Sequence, residues 1–269
     1  MSAKKIVLIA GNPSHGRGSH EHVGGCLLFA DLINKYVDGA SAVASNGWPT
    51  DAGVLKDASA FAIYSDGGAG HLIMPHLDEA AELAKKGVGV AMLHYAIEVL
   101  KGKPGDCFLE WIGGYFEMNW SVNPHWTAEF KSLPKHPINN GVKPFTMDDE
   151  WYYHMRFRKN MEGVTSVLST LPPDSTLERP DGTHSGNPDV RKAVANKEPQ
   201  HLGWCVERSD GGRGFGFTGG HFHDKWAVND VRKFILNALI WTAKLEVPKN
   251  GVDTPTPTPT PQELESYMR

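Results

Sequence analysis

The sequence lacks any apolar run approaching the roughly 20 residues that a membrane helix needs. A membrane partner is therefore not expected. No signal peptide precedes the first apolar segment, because Met1-Ser2-Ala3 stands directly against it. Such a start suits a cytoplasmic chain and equally an exported one stripped of its leader, so a soluble protein is expected and its compartment stays open. Cysteine is scarce: Cys26, Cys107 and Cys205 form no C-x-x-C pair, and their odd number argues against a disulfide framework. No basic patch of the kind that neutralises phosphates is present, and the net charge is -4, so nucleic acid is not an expected partner. A G-x-S-x-G elbow is also missing, which counts against an esterase-like hydrolase.

What remains is an ordinary globular mix, 40% apolar and 22% charged, enough to bury a core of normal size. Histidine is abundant, at 13 residues, and tryptophan at 8. Continuous apolar runs suit strands buried on both faces of a parallel sheet. They occur at 6–10, 40–44, 60–64 and 89–93, and a hairpin follows at 203–208 and 214–218. Val164 to Leu171 reads as a further strand. Helical patterns lie between: Leu27 to Tyr36, then Pro75 to Lys86 with Gly87 past its end, and last Asn229 to Lys244. Strand alternating with helix predicts one doubly wound α/β domain with a mostly parallel central sheet, spanning residues 1–246. The Thr-Pro alternation at 254–261 predicts that residues 247–269 are a linker or disordered tail without a catalytic role. On that reading, its removal leaves stability nearly unchanged.

Ligands of open α/β sheets sit outside the carboxyl ends of the strands. The first strand delivers His15, with His20 and His22 close behind; the third delivers Asp66 and His71; the fourth ends on His94; the last delivers His221 and His223. A lone histidine after a strand is more often a hydrogen-bonded loop residue than a ligand. Four at equivalent positions are harder to explain that way. His20 and His22 could instead cap the first helix. His136 reads as a turn residue and His76 as solvated. Neutral imidazole binds zinc and similar ions, usually beside a carboxylate, and also moves protons at neutral pH. The acidic-aromatic cluster Asp148-Asp149-Glu150-Trp151-Tyr152 offers the carboxylate. The aromatics near these sites either pack a core or present faces to a sugar ring.

Six segments, in order, resemble the trehalose-utilisation (ThuA-like) family. They are Pro13-Ser14-His15, Gly87 to Ala96, Trp111 to Phe116 with His125 beyond it, Asp149-Glu150-Trp151-Tyr152, His201 to Gly214, and Thr218 through Trp241. The resemblance implies a fold like that of class I glutamine amidotransferases, and flavodoxin-like in outline. Those enzymes keep a nucleophilic cysteine at the turn occupied here by His94, so glutamine hydrolysis is not expected. The extra Gly and His residues at 16–22, and Leu202 where proline is usual, depart from the pattern.

The resemblance further implies carbohydrate catabolism, with a small-molecule disaccharide or oxidised (3-keto) sugar as partner. A metal-assisted or histidine acid–base lyase, isomerase or hydrolase would suit that substrate. The alternative is a non-catalytic sugar-binding protein of the same fold. On the enzymatic reading His94, Glu150, His15 and His201 are the catalytic candidates. Tyr152, Trp151, His71, Trp126 and His125 are the substrate-binding candidates. His94, His221 and Glu150 would hold zinc or another divalent metal. No nucleotide cofactor is expected, and a homo-oligomer is compatible with the sequence.

Overall fold

The computed structural model describes residues 3–254 and 261–268. In chain order the elements are β1 (Lys4–Ala10), α1 (His22–Tyr36), β2 (Ala40–Asn46), α2 (Ala52–Lys56), β3 (Ala58–Tyr64), α3 (Leu77–Lys85), β4 (Gly89–Leu93) and α4 (Lys103–Trp111). The irregular middle carries β5 (Gly114–Tyr115), β6 (His125–Phe130), β7 (Phe145–Glu150) and β8 (Arg156–Phe157). The chain continues with β9 (Val164–Thr170), α5 (Pro188–Ala195), β10 (Gln200–Glu207), β11 (Arg213–Phe217), α6 (Asn229–Thr242) and α7 (Pro261–Tyr267).

Seven strands form one sheet in the order β2-β1-β3-β4-β11-β10-β9. The first five of that order run parallel, and β10 is antiparallel to both its neighbours. The doubly wound reading is visible residue by residue. Successive side chains of a strand point to opposite faces. Ile6, Leu8 and Ala10 of β1 pack with the apolar faces of α1 and α6. Val7 and Ile9, from the same strand, pack with Leu77, Ala80 and Ala84 of α3 and Phe108 and Trp111 of α4. Both faces are thus covered, which is why these strands read as continuous apolar runs. Two small antiparallel pairs, β5–β8 and β6–β7, stand beside the main sheet. No helix among the described residues is long and apolar enough to cross a membrane.

The chain end departs from the expectation of an undocked tail. Val247 and Val252 are buried, and Val252 N–H donates to Asn237 Oδ1 at 2.8 Å. Arg232, itself buried, donates to Thr254 Oγ1 at 3.2 Å. Beyond residues 255–260, which lie outside the described residues, α7 rests on α1. Leu264 is buried there, Tyr267 donates to Asp31, and Glu265 pairs with Arg17 at 2.6 Å. Alternating proline constrains the backbone but does not dictate what the flanking apolar residues touch. They find a home on the domain.

Candidate metal and acid–base site

The site is built at the carboxyl rim, where the parallel strands end. His94 directly follows β4, and its backbone turns sharply into the left-handed region at φ 55°. A non-glycine residue held there carries strain of about 1–3 kcal/mol. The turn aims the His94 ring along the rim, and its Nδ1–H donates to the backbone oxygen of Thr218 at 2.8 Å. That carbonyl can only accept, so Nδ1 carries the proton and Nε2 presents a lone pair.

The loop after β11 brings in His221. Gly220 makes this possible: its φ is +108°, and a Cβ there would lie 2.8 Å from the Trp226 ring. The buried carboxylate of Asp149 pins the same loop, accepting from Gly220 N–H at 2.7 Å and His221 N–H at 3.1 Å. Asp149 ends β7 together with Glu150, so one short acidic segment does two jobs. Its first carboxylate anchors the loop and its second enters the site. The first loop is stitched to the loop after β11 by His20 N–H to the His221 oxygen at 2.9 Å and His223 N–H to the Gly18 oxygen at 2.9 Å.

That stitching delivers His20, at φ 49°, into the centre. Its Nδ1 lies 2.8 Å from Asp66 Oδ1. Burial pushes the Asp66 carboxyl up, but hydrogen bonds from His20 and Ser14 outweigh it and hold its pKa at about 2. An ionised Asp66 fixes the His20 proton on Nδ1, leaving Nε2 as a second inward lone pair. Burial also lowers the His20 pKa to about 3, against the opposing pull of Asp66, so the ring is neutral at physiological pH.

Four buried side chains thus converge: His20, His94, Glu150 and His221, each offering one ligand atom, all within 4.8 Å of one another. His20 Nε2 lies 3.0 Å from His221 Nδ1 and 3.2 Å from His94 Nε2. Glu150 Oε2 lies 3.1 Å from His221 Nδ1 and 3.5 Å from His94 Nε2. Burial raises the Glu150 carboxyl, but hydrogen bonds and charge from the His221 and His94 rings, when these are protonated, outweigh it and hold the group well below the usual carboxylate range. The Tyr152 hydroxyl completes the wall, 3.2 Å from His94 Nε2 and 3.1 Å from Glu150 Oε2. A proton on His221 and the Tyr152 hydroxyl relieve part of the electron crowding, but His20 and His94 still face each other lone pair to lone pair.

The arrangement fits a divalent ion. Tetrahedral ligands about 2.0–2.1 Å from a common ion lie roughly 3.3–3.4 Å apart, close to the 3.0–3.5 Å that separates His20 from His221 and His94, and Glu150 from the same two rings. Metal-binding imidazoles almost always donate their other N–H to a carboxylate or carbonyl, as His20 does to Asp66 and His94 to Thr218.

The three residues expected to hold a metal, His94, His221 and Glu150, therefore meet, with Tyr152 against them. His20 is the member of the cluster that was not expected among the metal-holding residues. Neither it nor His22 caps α1, which has no side-chain cap; His22 Nδ1 turns to the Asn12 oxygen instead. Nothing in the spacing of three histidines says which one enters. His15 stays exposed at the mouth, its ring 3.7 Å from that of His20. His125 stands there too, 3.9 Å from Glu150 Oε1. Asn123 was also missed; it donates to Glu150 Oε1 at 3.0 Å.

Four other candidates fall away from the cluster. His201 bonds to Ser166 on the edge strand β9 and packs against Phe157. His71 is buried between the Ala96 oxygen and the Ile73 N–H. Trp126 and Trp151 are core residues, their indole N–H groups spent on the oxygens of Trp151 and Met147. Neither offers a face to a sugar.

The profile of a family called ThuA, described as trehalose utilisation, matches residues 29–242. The chain belongs to the ThuA family. Two solved structures share the fold. A protein described as ThuA-like from Bacteroides uniformis has a TM-score of 0.60 at 17% identity, covering 89% of this chain and 91% of its own. Another from Parabacteroides merdae has a TM-score of 0.56 at 15% identity, with 96% of each chain covered. A glutamine amidotransferase from Thermotoga maritima is similar at a TM-score of 0.44 and 9% identity, over 91% of this chain and 97% of its own. Among proteins of curated function none matches at a significant level. The ThuA match begins at residue 29, so His15 and His20 enter the site on geometry alone.

Proposed function

We propose that the chain is a metal-dependent enzyme of carbohydrate catabolism, acting on an oxidised (3-keto) sugar as a lyase, isomerase or hydrolase. The observation that carries this reading is the inward convergence of His20, His94, His221 and Glu150, with the outer N–H groups of His20 and His94 already engaged. The ThuA family's association with trehalose utilisation supports the substrate class.

A bound divalent ion supplies a Lewis acid for a sugar carbonyl oxygen. The chain's own residues do the rest. Thr218 and Asp66 hold the rings of His94 and His20 in one tautomer. Tyr152 and Asn123 orient Glu150. His15 and His125, at the mouth, are imidazoles within reach of solvent and able to exchange protons with it. A keto group acidifies the neighbouring C–H. One of these two imidazoles, acting as base, takes that proton and the C–H electrons pass to the carbonyl oxygen. When they return, either the glycosidic oxygen leaves or the carbon is reprotonated.

The test is turnover of 3-keto-trehalose and trehalose by the zinc-loaded protein, followed by NMR. The keto sugar should react and trehalose should not, and chelation or His94→Ala should abolish the reaction without unfolding the chain. Full activity in His94→Ala refutes the assignment.

A further inference from the structure

A second buried ionisable pair lies one aromatic layer away from the cluster. Glu98 follows the turn that begins at His94, and it is 1% exposed. Both its carboxylate oxygens accept from His184 Nε2, at 3.0 and 3.1 Å. His184 sits on the loop closed by the Gly182–Gly186 bridge. Its ring stacks on Phe116 at 5.3 Å, and Phe116 packs at 5.4 Å against Tyr152, whose hydroxyl touches His94 and Glu150. Asn123 joins the two places, since its N–H donates to the His184 oxygen and its side chain donates to Glu150. The opposite edge of the His184 ring, Nδ1, meets the hydroxyl of Thr183, an exposed residue, at 3.0 Å.

A buried carboxylate on one ring nitrogen, with the other nitrogen turned outward, orients an imidazole for proton transfer. The reaction proposed above needs a proton at a second place: the departing glycosidic oxygen, several ångströms from the carbonyl on the cluster.

Resting on that reading, we propose that His184, oriented by Glu98, is the acid that protonates the leaving oxygen of the substrate. The bond between the anomeric carbon and the glycosidic oxygen breaks as the enolate electrons form the new C=C bond. The His184 Nδ1 proton goes to the departing oxygen, and no oxidant or reductant is consumed. The hydrogen bond to Glu98 raises the His184 pKa, keeping the ring protonated to higher pH.

The experiment compares two 3-keto-glucosides with the zinc-loaded protein, one expelling methanol and one expelling 4-nitrophenol. An acid is needed for the first and hardly at all for the second. His184→Gln should lower kcat/KM about 100-fold on the methyl glucoside, within the usual range for general acids, and leave the nitrophenyl glucoside almost unchanged. Glu98→Gln should move the loss of methyl-glucoside activity at high pH to lower pH, and NMR should show the His184 pKa falling in that variant. Equal losses on both substrates, or an unmoved pH profile, overturn the assignment of His184 alone. If the wild-type protein turns over neither glucoside, the function proposed above has failed and this role falls with it.

Discussion

Two buried polar clusters stand at opposite ends of β4, and they are built on opposite rules. Before the strand begins, the Arg208 guanidinium is 7% exposed and wholly occupied. Its Nε donates to the Asp210 carboxylate, and its other nitrogens reach the oxygens of Ala84, Val88, Trp111 and Arg213. After the strand ends, His20, His94, His221 and Glu150 converge, and His20 and His94 face each other lone pair to lone pair. Donors and acceptors match at the first cluster. At the second, acceptors are in excess. A buried polar group whose partners are all in the protein serves the fold. A set that needs something further is the better place to look for chemistry.

The sharpest way to break this contrast is to remove one member from each end. His20→Ala or His94→Ala should abolish zinc binding by calorimetry and all turnover, with the circular dichroism spectrum kept. Asp66→Asn, which removes the charge that orients His20, should weaken zinc by about 10–100-fold, as such outer partners usually do. Arg208→Met should do the reverse. It should leave zinc stoichiometry at the wild-type value and cost roughly 3 kcal/mol in urea denaturation, because several buried carbonyls lose a charged donor.

Cutting the chain after Glu246 should cost a similar amount, roughly 3 kcal/mol, through the buried Val247, Val252 and Leu264. An unchanged melting temperature would show that the docked end contributes nothing.

An effect confined to acid pH separates a structural histidine from the cluster. Burial lowers the His71 pKa to about 4, against a hydrogen bond to the Ala96 oxygen that raises it. The folded protein therefore resists protonation there while the unfolded chain accepts it below about 6.5. The contribution to stability is full above pH 6.5 and is lost progressively toward pH 4, by up to about 3 kcal/mol. His71→Gln should flatten that part of the stability curve, measured on metal-free protein.

Much of this was legible beforehand, and the reasons differ by region. β1, β3 and β4 could be read because strands covered on both faces must be apolar throughout. His94 could be read because it directly follows such a strand, His221 because it lies just beyond β11, and Glu150 because an acidic-aromatic segment stood where a carboxylate was wanted. His20 could not be chosen over His15, since the choice depends on a left-handed turn at φ 49° and on pairing with the loop after β11. Trp126 and Trp151 were misplaced because an indole reads the same in a sequence whether it faces a sugar or the core. The chain end was misread because threonine and proline report on backbone stiffness, while docking is decided by the apolar residues on either side.

The central claim is that the four converging side chains are a metal site. Anomalous diffraction at the zinc edge from crystals of the zinc-loaded protein tests it most directly. The account predicts one peak per chain among His20 Nε2, His94 Nε2, His221 Nδ1 and Glu150 Oε2, about 2.0–2.2 Å from each. A crystal loaded with zinc that shows no peak there, or shows its peak only at His15 and Asp66 on the rim, would contradict it.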